Sequence, residues 1–203
     1  MTTVLITCGP TWVAIDPVRV ISNISSGQMG QALAKGFQKK GAKVTLIEGP
    51  VTDSLDKKGI KVIKYRFYDE LAQALQKESV KQYDIIIHAA AVADFKPEQK
   101  NGTKISSHQP LMLKLVPTEK LINKIKQWAP KSCLVGFKLE SKLNDADTAK
   151  KIRALFAESG CDVVVANSVD RGYNGIVIDA DGRILAKAAD KKELAKHLVR
   201  ILK

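Results

Sequence analysis

A stretch of small and polar residues near the N-terminus has the composition of a phosphate-binding loop. Residues Ser22–Gly30 read S-N-I-S-S-G-Q-M-G and lie between an apolar run, Val4–Thr7, and a helical pattern that begins at Gln28. Small residues let backbone N–H groups approach an anion, and the positive end of the following helix would face it. The same composition is also typical of a plain turn that caps a helix, and both interpretations stay open.

Asn23 adds a chemically useful group to this loop. Its neutral amide can donate hydrogen bonds to an oxyanion that forms during a reaction. The structural alternative is an Asx turn or a helix N-cap. The sequence therefore presents the loop as one half of a site that handles phosphate or a developing negative charge.

Strand and helix patterns alternate along the chain and would position this loop. We predict strands at Val4–Cys8, Lys43–Glu48, Ile60–Tyr65, Asp84–Ala91, Cys133–Phe137, Asp162–Ala166, Ile176–Asp179 and Ile184–Ala186. We predict helices at Gln28–Lys40, Tyr68–Lys77, Thr118–Trp128, Asp145–Ser159 and Asp190–Leu202. This order indicates an α/β fold, a Rossmann-like doubly wound, mostly parallel sheet with helices on both faces, formed by a single domain over residues 1–203.

One polar, lysine-rich segment interrupts the alternation. Residues 95–116 contain Asn101-Gly102, which is a hairpin signal, and Leu111–Val116 is a candidate returning strand. We therefore predict a β-arm that projects from the sheet. Lys104 lies on this arm, and its structural alternative is a solvated loop lysine.

Ligands of open parallel sheets bind outside the carboxyl ends of the strands. In this chain the residues expected at that edge are Gly9–Thr11, Glu48–Pro50, Ala90–Asp94, Phe137 and Asn167. The Ser22–Gly30 loop joins them, so we expect the ligand site there.

Composition narrows the class of protein. The chain has 203 residues, 45% of them hydrophobic, which is typical of a folded protein with a sizeable core. No apolar run has membrane-spanning length and no leader precedes the first strand, so we expect a cytoplasmic protein without a membrane partner. Cys8, Cys133 and Cys161 are odd in number and widely spaced, which indicates reduced, buried thiols.

The positive net charge of the chain is compatible with several classes of binding partner. The net charge is +12, but the lysines are spread out and no arginine-rich or aromatic-interleaved block occurs. Scattered positive charge suits a small polyanionic substrate or a solvated surface. We rank both above a nucleic-acid partner.

A nicotinamide-dependent oxidoreductase or an NAD(P)-binding sensor is the alternative that the topology suggests. The glycine fingerprint G-x-G-x-x-G is absent after the first strand, where Gly9 is followed by Pro-Thr. Glu48 nevertheless ends the second strand, where an acid that binds ribose belongs. Glu48 therefore keeps this alternative open.

Several segments together resemble one family, phosphopantothenoylcysteine synthetase, in its stand-alone bacterial form. They are Gly9-Pro10-Thr11, D-P-V-R-V-I-S-N-I-S-S-G-Q-M-G (16–30), A-A-V-A-D-F (90–95), Thr103-Lys104-Ile105, G-F-K-L-E (136–140) and V-A-N (165–167). The resemblance covers nearly the whole chain and implies a ligase of coenzyme A synthesis. It implies that 4′-phosphopantothenate and L-cysteine are joined through an acyl-nucleotidylate, with CTP favoured and ATP possible.

The resemblance also assigns roles to residues. It implies Asn23, Lys104 and Arg19 as catalytic residues and Asn23, Ala90, Ala91 and Asp94 as substrate-binding residues. For the nucleotide it implies Gly9, Ser25, Ser26, Gly27, Gly30, Ala90, Asp94, Lys104, Phe137, Lys151, Ala166 and Asn167. Mg²⁺ is expected with the triphosphate, but its protein ligands are unknown. No flavin is expected in this chain. The resemblance also implies a homodimer.

The chain departs from the family pattern around the triphosphate. Many bacterial members carry two lysines shortly before the V-A-N strand, and the same offsets here fall on Leu155 and Ser159. Lys151 lies one helical turn before the first offset and is the candidate substitute. The F-K-L-E segment is more similar to eukaryotic members, which use ATP, so the choice of nucleotide stays open.

Overall fold

A single eight-stranded sheet organises the computed structural model of the chain, which describes residues 1–51, 56–140, 143, 146–168 and 172–202. The strands are β1 (Thr3–Cys8), β2 (Trp12–Ala14), β3 (Val20–Ser22), β4 (Lys43–Glu48), β5 (Lys61–Lys64), β6 (Ile85–His88), β7 (Phe95–Pro97), β8 (Leu115–Pro117), β9 (Cys133–Leu139), β10 (Val163–Ser168), β11 (Asn174–Asp179) and β12 (Ile184–Ala188). The helices are α1 (Gln28–Lys39), α2 (Tyr68–Ser79), α3 (Ile122–Trp128), α4 (Ala146–Ser159) and α5 (Lys191–Ile201).

The strand order confirms the predicted fold class. It is β12-β11-β10-β9-β6-β1-β4-β5, with β11 and β12 antiparallel and the strands from β10 to β5 parallel. Numbered along the chain, the parallel strands follow the doubly wound order 3-2-1-4-5-6. The order reverses between β1 and β6, so the crevice at their carboxyl ends is the expected ligand position.

Apolar side chains on both faces explain why the central strands are buried. Ile85, Ile86 and Ile87 of β6 alternate between two core clusters, one on each face of the sheet. Helices α1 and α5 cover one face, and α2, α3 and α4 cover the other. No helix of the described residues is both long and apolar enough to cross a membrane.

Helix α1 follows directly from its sequence. Gly30, Leu33, Ala34 and Phe37 recur at helical spacing and form its buried side. Gly30 is required by close packing, because a Cβ atom there would lie 2.4 Å from the Cβ of Cys8. The start of the helix is therefore held against β1. The Ser22–Gly30 loop, which we call the glycine loop, leads into the helix at this end.

The arm exists, but its details differ from the prediction. Its base is an antiparallel pair, β7 with β8, and the returning strand begins at Leu115 rather than at Leu111. Asn101-Gly102 is not a tight turn of this hairpin, because the last bond between the two strands joins the Glu98 N–H to the Lys114 carbonyl and leaves residues 99–113 as the connection. The Asn101 N–H instead donates to the carbonyl of Ile15, 3.2 Å away in another loop. That loop belongs to a second small hairpin, β2 with β3, which the sequence analysis missed.

Two element boundaries also differ. Helix α3 begins at Ile122 rather than at Thr118, because Thr118 is held by the preceding loop: its N–H donates to Asp94 and its hydroxyl to Ala93. The predicted strand Asp84–Ala91 ends at His88, after which the chain leaves the ladder and contacts the β1 exit. The predicted first residue of α4, Asp145, lies outside the described residues.

Candidate functional site

The exits of β1 and β6 are bonded to each other at the point where the strand order reverses. The Ala91 N–H donates to the carbonyl of Gly9 (2.9 Å), and the Thr11 N–H donates to the carbonyl of Ala91 (3.3 Å). The hydroxyl of the buried Thr11 accepts from the Ala93 N–H at 2.8 Å. Residues 9–11 and 89–94 therefore form one structured wall of the crevice, as the sequence analysis expected.

The glycine loop lies against this wall. Gly27 adopts φ +70°, and a Cβ atom there would lie 2.5 Å from Cγ1 of Val51 and 3.4 Å from the backbone nitrogen of Gly9. Both a left-handed backbone and close approach therefore require glycine. Gly27 is the N-cap of α1, and the first turn, Gln28–Gln31, carries no acidic side chain. The positive end of α1 thus faces the β1 exit without a carboxylate of its own first turn.

Two serines complete this loop. Ser25 Oγ accepts from the Gly27 N–H at 3.4 Å, and Ser26 Oγ lies 3.5 Å from the Gln28 nitrogen. These contacts are long for hydrogen bonds, so the hydroxyls are weakly held by their own turn. The plain-turn interpretation accounts for part of this geometry, but Gly27, rather than either serine, is the helix cap.

Asn23 is brought to the predicted substrate segment. Its amide Nδ2 donates to the carbonyl of Val92 at 3.0 Å and lies 3.4 Å from that of Ala91. Asn23 is therefore neither a helix cap nor the head of an Asx turn. The side chain is exposed and ties the loop to the 89–94 wall.

Arg19 is paired with a buried acid. Its guanidinium Nη1 lies 3.1 Å from Oδ2 of Asp16, whose side chain is fully buried. Burial of the Asp16 carboxylate acts to raise its pKa, but donated hydrogen bonds and the Arg19 charge outweigh burial and lower that pKa. Arg19 therefore organises its loop, with about a third of its side chain exposed.

Asp94 and Lys104 stand at the entrance to the arm. Asp94 is followed by strand β7 rather than by a helix, and the Asp94 carboxylate pairs with Lys120. Lys104 is exposed on the arm, next to Ile105, whose N–H donates to Asp16. The arm thus begins directly after Ala90–Asp94, the predicted substrate-binding segment. It brings the backbone next to Lys104 to the turn between β2 and β3, residues 15–19, which we call the Arg19 loop.

Three of the residues implied for nucleotide binding, Phe137, Ala166 and Asn167, lie within strands rather than beyond their carboxyl ends. Ala166 is fully buried within β10, and Asn167 is also within the strand, which continues to Ser168. The expected strand end at Ala166 is therefore wrong by two residues, because β11 pairs with β10 up to Ser168. Phe137 is half-buried in β9 and packs against the core.

Lys151 is held by carboxylates. Its Nζ lies 2.8 Å from Glu140 and 2.9 Å from Asp147, and these hydrogen bonds raise its pKa. The two positions at which many bacterial members carry lysines are occupied here by Leu155, which packs against the core, and by Ser159, which is buried. Lys151, the candidate substitute for those lysines, is therefore already engaged by two carboxylates.

Glu48 does not have the environment of a ribose-binding acid. Its side chain is fully buried and accepts from Gln31 (2.8 Å), from Lys57 (2.8 Å) and from Lys64. Burial acts to raise the pKa of Glu48, yet the bonds from the two lysines and Gln31 lower it. A carboxylate enclosed and neutralised in this way has no oxygen to offer a ligand, which removes the motivation for the NAD(P) alternative.

Sequence reasoning missed the residues that hold the loops together. Asp16, Thr11 and Thr118 bond to the main chain of distant loops, and Lys120 pairs with Asp94. Only Asp16 carried a local signal, because Asp before Pro is typical of a side chain that caps its own turn.

The described residues contain no group of three His, Cys, Asp or Glu side chains that could hold a metal ion.

Comparisons with known proteins show the family to which the chain belongs. A model of the DNA/pantothenate metabolism flavoprotein C-terminal domain matches residues 1–203. The Coenzyme A biosynthesis bifunctional protein CoaBC of Thermococcus kodakarensis is 38% identical over 200 residues, which cover 96% of this chain and 49% of the relative. The chain thus spans about half the length of the curated relatives it matches.

Solved structures show the same fold. A DNA/pantothenate metabolism flavoprotein from Streptococcus pneumoniae has a TM-score of 0.88 at 24% identity and covers 100% of this chain and 98% of its own. A Cab2 mutant in complex with phosphopantothenate-cysteine has a TM-score of 0.81 at 18% identity and covers 99% of this chain and 85% of its own. The match of the family model over the full chain shows that this protein belongs to the DNA/pantothenate metabolism flavoprotein C-terminal domain family, which is the phosphopantothenoylcysteine synthetase domain of CoaBC.

Proposed function

We propose that this protein is a phosphopantothenate–cysteine ligase, which joins 4′-phosphopantothenate to L-cysteine at the expense of CTP or ATP. The observation that carries the proposal is the convergence of Asn23 with Ala91 and Val92 at the crevice between β1 and β6. Membership of the family and the name of the Thermococcus relative support the same activity. We also propose that residues 1–203 act as a single domain.

In the first step, the substrate carboxylate attacks the α-phosphorus of the triphosphate. A P–O bond forms to the carboxylate, the bond to the bridging oxygen breaks, and pyrophosphate leaves with the electron pair. Lys104 neutralises the charge that builds up on the phosphate. Such a reaction needs positioning and charge stabilisation rather than a covalent enzyme intermediate.

In the second step, the amine of cysteine attacks the acyl carbon of the acyl-nucleotidylate. A tetrahedral oxyanion forms, then collapses to the amide as the nucleoside monophosphate leaves and the amine gives up a proton. The Asn23 amide has two N–H donors: one bonds to the Val92 carbonyl, and the other, only 3.4 Å from the Ala91 carbonyl, donates to that oxyanion. Arg19 and Asp94 orient the substrate.

The remaining site residues bind the nucleotide. Backbone N–H groups of Gly9, Gly27 and Gly30, with the Ser25 and Ser26 hydroxyls, face the phosphates at the positive end of α1. Ala90, Phe137, Asn167 and the backbone of Ala166 line the base and ribose, and Lys151, which stays paired with Glu140 and Asp147, approaches the triphosphate. Mg²⁺, when bound with the triphosphate, would neutralise part of its negative charge.

A homodimer completes the proposal. Large apolar side chains are exposed on the loop and the arm, including Val18 (64%), Ile24 (106%), Phe95 (53%) and Met112 (93%). Exposed apolar surface of this kind marks an interaction site. A second copy of the chain that covers both segments would bury it.

One assay tests the proposed function. The purified protein is incubated with 4′-phosphopantothenate, Mg²⁺ and either CTP or ATP, with and without cysteine, and pyrophosphate and ligated product are measured. We expect pyrophosphate release with at least one nucleotide and product only with cysteine. Absence of pyrophosphate with every triphosphate would overturn the proposal.

A further inference from the structure

The arm is fastened to the Arg19 loop on both sides of Lys104. The Asn101 N–H donates to the carbonyl of Ile15 at 3.2 Å, and the Ile105 N–H donates to Oδ2 of Asp16 at 3.1 Å. Both acceptors belong to the turn that joins β2 to β3. Residues 102–104 therefore form a short span between two fixed points.

Asp16 is the centre of this arrangement. Its Oδ1 accepts from the N–H groups of Val18 (2.9 Å) and Arg19 (2.8 Å), which shapes the turn. Its Oδ2 accepts from the Arg19 guanidinium and from the Ile105 N–H, both at 3.1 Å. An ionised carboxylate can accept all four bonds, whereas an amide of the same shape cannot, because one of its two heads is a donor.

We propose that Asp16 is a positioning residue for the first step of the reaction: it fixes the backbone that carries Lys104 relative to the loop that carries Arg19 and Asn23. This inference rests on the proposed function. Lysine is a flexible side chain, and small misplacement of a charged group costs much of its effect on a transition state. Asp16 itself does not touch the reacting atoms, because its side chain is fully buried and its oxygens are engaged.

Asp16→Asn is the variant that isolates this role. The retained carbonyl oxygen can still accept from Val18 and Arg19, but the new N–H₂ faces two donors, the Ile105 N–H and the Arg19 guanidinium. We expect faster hydrogen exchange at the Ile105 amide, measured by NMR. We also expect the kcat for pyrophosphate release to fall by about 10- to 100-fold, with a smaller change in the KM for the triphosphate.

A double-mutant cycle separates positioning from general damage. If Asp16 acts through Lys104, then Asp16→Asn will lower kcat in the wild-type background but not further in Lys104→Ala. A matched control is Asp179→Asn, because Asp179 also caps a turn by accepting from Asp181 and Arg183 N–H groups and pairs with the Arg183 side chain. It lies at the β11–β12 turn, and we expect it to keep the wild-type kcat.

A second variant covers the case in which Asp16→Asn does not fold. Ile105→Pro removes the donated N–H of the arm and leaves the Asp16 turn intact, and we expect the same loss of kcat. If the wild-type protein releases pyrophosphate but both folded variants keep its kcat, or if the cycle is additive, the positioning role is wrong. Unchanged Ile105 exchange in Asp16→Asn would also overturn it. If the wild-type protein itself releases no pyrophosphate, the proposed function fails first.

Discussion

The two halves of the candidate site are built in different ways. In the loop half, residues 9–27 and 89–105, side chains bond to the main chain of a neighbouring loop, as Asn23 does to Val92 and Asp16 to Ile105. In the strand half, residues 136–167, Ala166 is buried inside a paired strand and Lys151 is held by Glu140. We therefore propose that the loop half presents polar groups to a ligand, whereas the strand half contributes mainly shape. We expect the chemistry to depend on the first half far more than on the second.

The largest expected effect is that of Lys104→Ala. Loss of the charge that we assign to the attacked α-phosphate should lower the kcat for pyrophosphate release by about 10²- to 10³-fold, as for other groups that stabilise transition-state charge. The control is Lys100→Ala, another exposed lysine of the arm, which should stay close to wild type. A Lys104→Ala protein within threefold of wild type would contradict the importance of the loop half.

Asn23→Ala should separate the two steps. Without the amide donor, pyrophosphate should still be released in a first turnover, but the acyl-nucleotidylate should accumulate and ligated product should fall by about 10²-fold. Rapid quench and mass spectrometry would detect the intermediate. Asn101→Ala is the matched control, because the contact of Asn101 with Ile15 uses its main-chain N–H, which the variant keeps. Equal loss of both steps in Asn23→Ala would show that Asn23 only supports the loop.

The close approach at Gly27 can be tested on stability. Gly27→Ala would place a Cβ atom 2.5 Å from Val51 at φ +70°, whereas Gly41 has φ +82° with nothing within 4 Å of such an atom. Gly41→Ala should therefore cost about 1–2 kcal/mol for its backbone conformation alone. Gly27→Ala should cost about 1–3 kcal/mol more through overpacking. Urea denaturation measures both, and equal losses would show that Val51 moves aside freely.

The smallest effect is expected in the strand half. Because Glu140 and Asp147 already match the charge of Lys151, Lys151→Ala should change the KM for the triphosphate by no more than about threefold. Lys150→Ala, the exposed neighbour on α4, is the control. A tenfold rise in KM for Lys151→Ala alone would mean that the triphosphate displaces the carboxylates, and the contrast between the two halves would be weaker than we propose.

Features that depend on interactions between neighbouring residues were predictable from the sequence, whereas features that depend on contacts between distant segments were not. The strands β1, β4 and β6 were predictable because continuous apolar runs are local signals, as are the glycines that follow β1 and β4. The glycine loop and the Ala90–Asp94 segment were also found, through motifs. The contacts of Thr118 with Ala93 and of Asp16 with Ile105 were not, because each joins loops that only the tertiary fold brings together. The end of β10 was missed for the same reason, since its last residues pair with a later strand.

The buried group around Glu48 bears on how this scaffold could be re-engineered. A designer who added a G-x-G-x-x-G turn after β1 would supply the pyrophosphate half of a dinucleotide site and still obtain no ribose contact. Freeing Glu48 would break its ion pairs with Lys57, whose side chain is only 14% exposed, and with Lys64. Separating a buried carboxylate from the cations that neutralise it is destabilising. A change of cofactor would therefore require the acid and its cations to be replaced together.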